Sequence, residues 1–148
     1  MDTILQILIA TIAATSLMTL FSYAVSAAAR EVFKEPLLLM YVLSFLHIQA
    51  PPKTKSILAW ILHYFIGLLF VLGYYILWNY GIMEVSWWST FILATCIGGI
   101  GILGWMFLFN LIDHRPTINY KGYYTQLFIA HIIFSITVFI VYSIFQQP

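Results

Sequence analysis

ILAWILHYFIGLLFVLGYYILW, residues 57–78, carries no charged side chain and one histidine, His63. At 1.5 Å per residue a helix of this length reaches about 33 Å, against roughly 30 Å of hydrocarbon in a bilayer. Lipid offers the backbone no hydrogen-bond partner, so only helices and closed barrels cross it. A barrel strand is about 10 residues long and alternates polar with apolar; this run does neither. It reads as a membrane-spanning helix.

Three further stretches have the same character: 3–26, 88–112 and 124–145. The chain is 63% apolar and 7% charged, whereas a soluble domain has about 25% charged residues. The expectation is an all-α integral membrane four-helix bundle, one transmembrane domain over residues 1–148. The leading Met1-Asp2-Thr3 lacks the basic start of a cleaved signal peptide, so the first span is expected to be retained.

The six Lys and Arg residues sort into two gaps. Arg30, Lys34, Lys53 and Lys55 follow the first span; Arg115 and Lys121 follow the third. By the positive-inside rule the loops 27–56 and 113–123 are cytoplasmic, with both termini and the 79–87 turn on the outer face. Trp78, Tyr80, Trp87 and Trp88 belong to one interfacial belt, and Trp60, Tyr120, Tyr123 and Tyr124 to the other.

The first basic gap contains an apolar run, 37–46, too short to span. Pro36 suits a first helical turn and Pro51-Pro52 ends the segment. An interfacial or re-entrant helix is expected at about 36–48, its basic flanks suited to an anionic lipid surface. Ahead of it, Arg30, Glu31, Lys34 and Glu35 are spaced for local ion pairing worth a few tenths of a kcal/mol.

Small residues mark the packing faces. Ala10, Ala14 and Met18 share one face of the first span. Ala94 and Gly98, continued by Gly101 and Gly104, stripe the third. Such faces let helix backbones approach closely in lipid. Cys96, alone of its kind, excludes an internal disulfide and is expected to pack among these glycines. The halves of the chain also echo one another. His63 and His131 are each followed four residues on by a small residue (Gly67, Ser135) and eleven on by a tyrosine (Tyr74, Tyr142), a pattern expected of a parallel repeat.

Ionisable side chains inside a membrane are functional candidates by default. His63 lies roughly 12 Å beyond Lys55 and His131 roughly 15 Å beyond Lys121 along their helices, so the pair shares a leaflet. Neutral imidazole binds metal or haem iron, or relays protons. It also simply hydrogen-bonds within a bundle, for which Tyr64, Thr125, Gln126 and Ser135 are nearby partners. His47, Asp113 and His114 sit at the cytoplasmic edge as contributors to such a site. Phosphate loops, zinc-protease motifs, clustered carboxylates and nucleophile elbows are absent from the sequence, and a net charge of +1 gives no footprint for nucleic acid.

Ala14-Thr15-Ser16-Leu17-Met18 fits an Ala-Thr-x-x-Met pattern, His63-Tyr64-Phe65-Ile66-Gly67 a His-x-x-x-Gly pattern, and His131 is a second histidine near the chain end. In these features the chain resembles the YagU-like and related groups of small bacterial inner-membrane proteins. The resemblance implies a helical bundle in a bacterial inner membrane and no reaction.

Three functions are compatible with the sequence. Size and the lack of a nucleophile favour a non-catalytic polytopic protein of the lipid bilayer, self-associating as a homo-oligomer or serving as an accessory subunit of a larger membrane assembly. A redox protein would hold haem or a transition metal between His63 and His131. A small oligomeric transporter or channel would use the two histidines as a proton relay.

Overall fold

The computed structural model describes residues 3–46 and 50–146. Five helices account for nearly all of it: α1 (Thr3–Ala29), α2 (Glu35–Phe45), α3 (Pro52–Asn79), α4 (Trp87–Asn110) and α5 (Tyr120–Gln146). No strand occurs among the described residues. Four of the helices, α1, α3, α4 and α5, are long and apolar enough to cross a membrane. The chain is a small polytopic membrane protein.

Local chemistry fixes the helix ends. At the end of α1, Arg30 adopts a left-handed φ of 55° and the Glu31 N–H returns to the Ser26 carbonyl at 3.2 Å, a Schellman closure. Ser26 Oγ also donates to the Glu31 carbonyl and accepts the Phe33 N–H at 3.3 Å. Pro36 and Pro52 occupy the first turns of α2 and α3, where a missing N–H costs nothing. Ser86 caps α4 through a reciprocal pair with Ser89, both bonds 3.2 Å. Asn119 Oδ1 accepts the Gly122 N–H at 3.0 Å at the start of α5.

The Schellman turn also overturns the ion pairing expected along residues 30–35. Because α1 ends at Ala29, the four charged residues do not share a helix. Glu31 Oε2 accepts the Asn119 N–H at 3.5 Å, Lys34 Nζ lies 4.8 Å from the Tyr23 ring centroid, and Glu35 turns inward.

Packing is asymmetric. α1 lies between α5 and α3, α5 lies between α1 and α4, and α2 packs on α3. A twofold repeat would pair α3 with α4 as closely as α1 pairs with α5. Instead α3 and α4 meet at their shared turn, where Trp78 Nε1 donates to Ser89 Oγ at 3.2 Å, and do not pack as a helix pair. α3 and α5 face each other across a layer of rings: Phe70 on Phe134, Trp78 on Tyr142 and Trp78 on Phe139.

Two apolar cores result. One, toward the 80–86 turn, gathers Ala10, Ala14, Met18, Tyr74, Trp78, Phe134 and Tyr142. The other, toward the basic loops, gathers Phe33, Leu38, Leu39, Trp105, Phe109 and Tyr123. The small residues divide between these tasks. Ala10, Ala14 and Met18 are buried on α1, and Ala94 and Gly98 on α4. A Cβ at Gly98 would lie 2.8 Å from Phe128, and one at Gly101 2.8 Å from the His131 ring. The upper α4 stripe therefore faces α5 within the same chain. Cys96 does not share that role: it is exposed on the lipid-facing side of α4, because it stands two residues from Ala94 and Gly98 and so points away from their face.

Candidate functional site

α1 is a spanning helix with a buried hydroxyl ladder. Thr11, Thr15, Thr19, Ser22 and Ser26 recur at intervals of three and four residues and are all buried, as one helical face requires. Thr11 and Thr19 place their protons on the carbonyl four residues back, on Ile7 at 2.8 Å and on Thr15 at 2.6 Å; Ser22 and Ser26 donate beyond the helix, to Glu35 and to the Glu31 carbonyl. The Thr19 lone pairs are left turned toward α3, while Ser22 donates toward α2 and accepts from Gln126 on α5.

His63 uses one of the Thr19 lone pairs. Its Nε2 lies 2.8 Å from Thr19 Oγ1. A threonine hydroxyl has one proton, and Thr19 has placed it on the Thr15 carbonyl. The arrangement that satisfies both bonds has the hydrogen on Nε2 and Nδ1 as a bare lone pair. His131 is the mirror case. Its Nδ1 lies 2.8 Å from the Leu127 carbonyl, which only accepts, so Nδ1 is protonated and Nε2 is bare. Among the described residues neither bare nitrogen has a hydrogen-bond partner. A second proton on either ring would leave an N–H unpaired against an apolar wall, which costs about 1–3 kcal/mol or more. Both imidazoles are neutral acceptors.

The partners expected for the histidines are engaged elsewhere. Tyr64 Oη bonds Ser16 at 2.9 Å, Gln126 bonds Ser22 and Glu35, Thr125 donates to the Lys121 carbonyl at 2.9 Å, and Ser135 accepts from Tyr74 Oη at 2.6 Å. An imidazole at these depths reaches across to α1 or back along its own helix instead.

His63 and His131 line one cavity of about 190 Å³. It lies where the two cores meet: Met18 and Phe134 belong to one, and Leu39, Trp105 and Leu127 to the other. Phe70 stands edge-on to the His131 ring at 5.9 Å. The cavity is bordered by Ile66 on α3 and by Ile100 and Gly104 on α4, all exposed on the bundle surface. Its opening is the gap left where α3 and α4 do not pack, and it faces the bilayer.

Glu35 closes the end nearest the basic loops. It is 1% exposed, although it sits outside the four spans. Ser22 Oγ donates to its Oε1 at 2.7 Å and Gln126 Nε2 at 3.2 Å; Oε2 has no partner. Burial raises its carboxyl from 4.5 to about 7, against the opposing pull of the Ser22 and Gln126 hydrogen bonds. Tyr123 Oη and Gln126 Oε1 are likewise buried and unpartnered. Sequence reasoning read Glu35 as one of four charged residues spaced for local ion pairing. The signal that could have found it is the hydroxyl ladder of α1, whose Ser22 offers a donor facing α2.

The remaining candidates are not brought to the cavity. His114 and Asp113 are exposed, with the His114 ring stacked on Phe45 at 6.0 Å and its carbonyl accepting from Tyr41 at 3.0 Å. His47 lies outside the described residues. No family model, curated protein or solved structure matches the chain.

Geometry limits what the histidine pair can hold. Among the described residues no three His, Cys, Asp or Glu side chains are grouped to hold a metal ion, whereas zinc asks for at least three protein ligands. Cofactor pockets run to about 300–1,000 Å³; a space of about 190 Å³ is too small for a haem macrocycle. What the cavity offers is two imidazole acceptors in a largely apolar chamber, with Thr15 and the Glu35 carboxyl also in its lining.

Proposed function

We propose that the protein is a membrane-embedded binding protein whose ligand arrives from the bilayer between α3 and α4 and is held by hydrogen bonds to His63 Nδ1 and His131 Nε2. One observation carries this reading: each ring is held through one nitrogen by Thr19 or by the Leu127 carbonyl, its second nitrogen has no partner among the described residues, and both rings line the same cavity. A histidine retained only for packing would have both nitrogens satisfied or one turned to solvent. The charge asymmetry of the loops supports an orientation with residues 27–56 and 113–123 cytoplasmic in a bacterial inner membrane. Glu35 would then stand at the cytoplasmic end of the cavity.

Gly104 provides the test. A Cβ there meets nothing within 4 Å, so a side chain is accommodated at this border of the cavity, where a large one narrows the opening. Wild type and Gly104→Trp, extracted from their native membrane into lipid nanodiscs, are compared by native mass spectrometry. A small-molecule adduct on the wild type that is missing from Gly104→Trp is expected. An adduct retained by both proteins, or by neither, contradicts the reading.

A further inference from the structure

The cavity also specifies its ligand, and this inference rests on the reading just given. We infer that the ligand is a lipid-soluble phenol or hydroquinone, a single aromatic ring whose hydroxyl donates to His131 Nε2.

Three observations lead there. First, both nitrogens are lone pairs, so a ligand that engages them must donate. A quinone or ester carbonyl at an imidazole would set lone pair against lone pair and leave that nitrogen unpaired. Second, the walls are aromatic. Phe70 meets both His131 and Phe134 edge-on, with interplanar angles of 78° and 77°, and Trp105 lines the same space. Ring walls of this kind receive another ring in offset or edge-to-face contact. Third, size selects one ring. An apolar cavity of about 150 Å³ takes benzene; the 190 Å³ here admits a substituted six-membered ring and excludes a fused polycycle. An alkyl or isoprenoid tail would leave between Ile66 and Ile100 into the lipid, along the gap between α3 and α4. No electron transfer is implied; the site discriminates by hydrogen-bond polarity and favours the reduced, hydroxyl-bearing form.

The experiment measures equilibrium binding of three probes to the full chain in lipid nanodiscs. They are 2,3,5-trimethylhydroquinone under argon, its oxidised quinone, and decanol, which donates a proton but has no ring. The hydroquinone is expected to bind about tenfold tighter than the quinone, as one unpaired buried acceptor implies. His131→Leu, which removes the acceptor, should lose that preference. His131→Gln, which restores an oxygen acceptor, should keep most of it, and a matching thermal transition would show both variants folded. Equal affinity for hydroquinone and quinone, or a preference surviving His131→Leu, overturns the proposal. So does the absence of hydroquinone binding. Histidine-dependent binding of decanol without the hydroquinone also overturns it, while leaving intact the broader reading of a bilayer-fed binding site.

Discussion

His63 Nε2 and Thr19 Oγ1 stand 2.8 Å apart across the α1–α3 interface, and the direction of that bond is decided by a third atom. With the Thr19 proton on the Thr15 carbonyl at 2.6 Å, Thr19 accepts from His63, and both bonds are satisfied. A hydroxyl on one helix thus sets the tautomer on another, and with it which imidazole nitrogen is left bare.

Removing that acceptor has a cost of its own. Thr19→Val keeps the shape of the side chain and leaves the His63 N–H buried without a partner, a loss of about 1–3 kcal/mol. Reversible unfolding in mixed micelles should show it, with Thr19→Ser closer to wild type. A Thr19→Val protein as stable as wild type would mean that His63 is held by something other than this bond.

Glu35 makes stability depend on pH. Its carboxyl sits at about 7 in the folded chain against an ordinary value of 4.5, so the folded state binds the proton more tightly than the unfolded one. For a group shifted in this direction, stability is fullest below about pH 4.5. It falls as pH rises through 7 and is flat above that, a total loss of about 3 kcal/mol. Glu35→Gln should flatten the curve and be the more stable protein at pH 8. Melting temperatures between pH 5 and 8 check both statements; a wild-type curve rising with pH would refute them.

Gly67 marks a close approach of α3 to α1. A Cβ at this position would overlap Thr15 Oγ1, which is buried and unpartnered. Gly67→Ala should therefore destabilise by about 1–3 kcal/mol. Adding Thr15→Ala should return most of the loss, because the two changes share one contact. Additive losses in the double variant would place the strain elsewhere.

The spans were legible because lipid imposes a length and a composition that few other environments require, as residues 57–78 show. Pro36 likewise announced the short helix after the first span. The histidines stood out by rarity alone. Their partners did not, since Thr19 is 44 positions from His63 and the Leu127 carbonyl is a backbone group common to every helix. Glu35 was hidden by its neighbours: Arg30, Glu31 and Lys34 suggested local ion pairing, and only the left-handed turn at Arg30 shows that the chain reverses and carries Glu35 inward. Cys96 was misplaced for a related reason, because proximity in sequence to Gly98 says nothing of helix face unless the spacing is three or four. The cavity itself could not be read at all. It exists because α3 and α4 fail to pack, and no residue pattern announces a missing contact.

The central claim is that two rings lining one chamber are opposite tautomers, each with a bare nitrogen. Histidine ¹⁵N chemical shifts of the protein in lipid bilayers at neutral pH report it directly. The account predicts that His63 is protonated on Nε2 and His131 on Nδ1, each with an unprotonated second nitrogen. Either ring found as imidazolium, or with its proton on the other nitrogen, would contradict it.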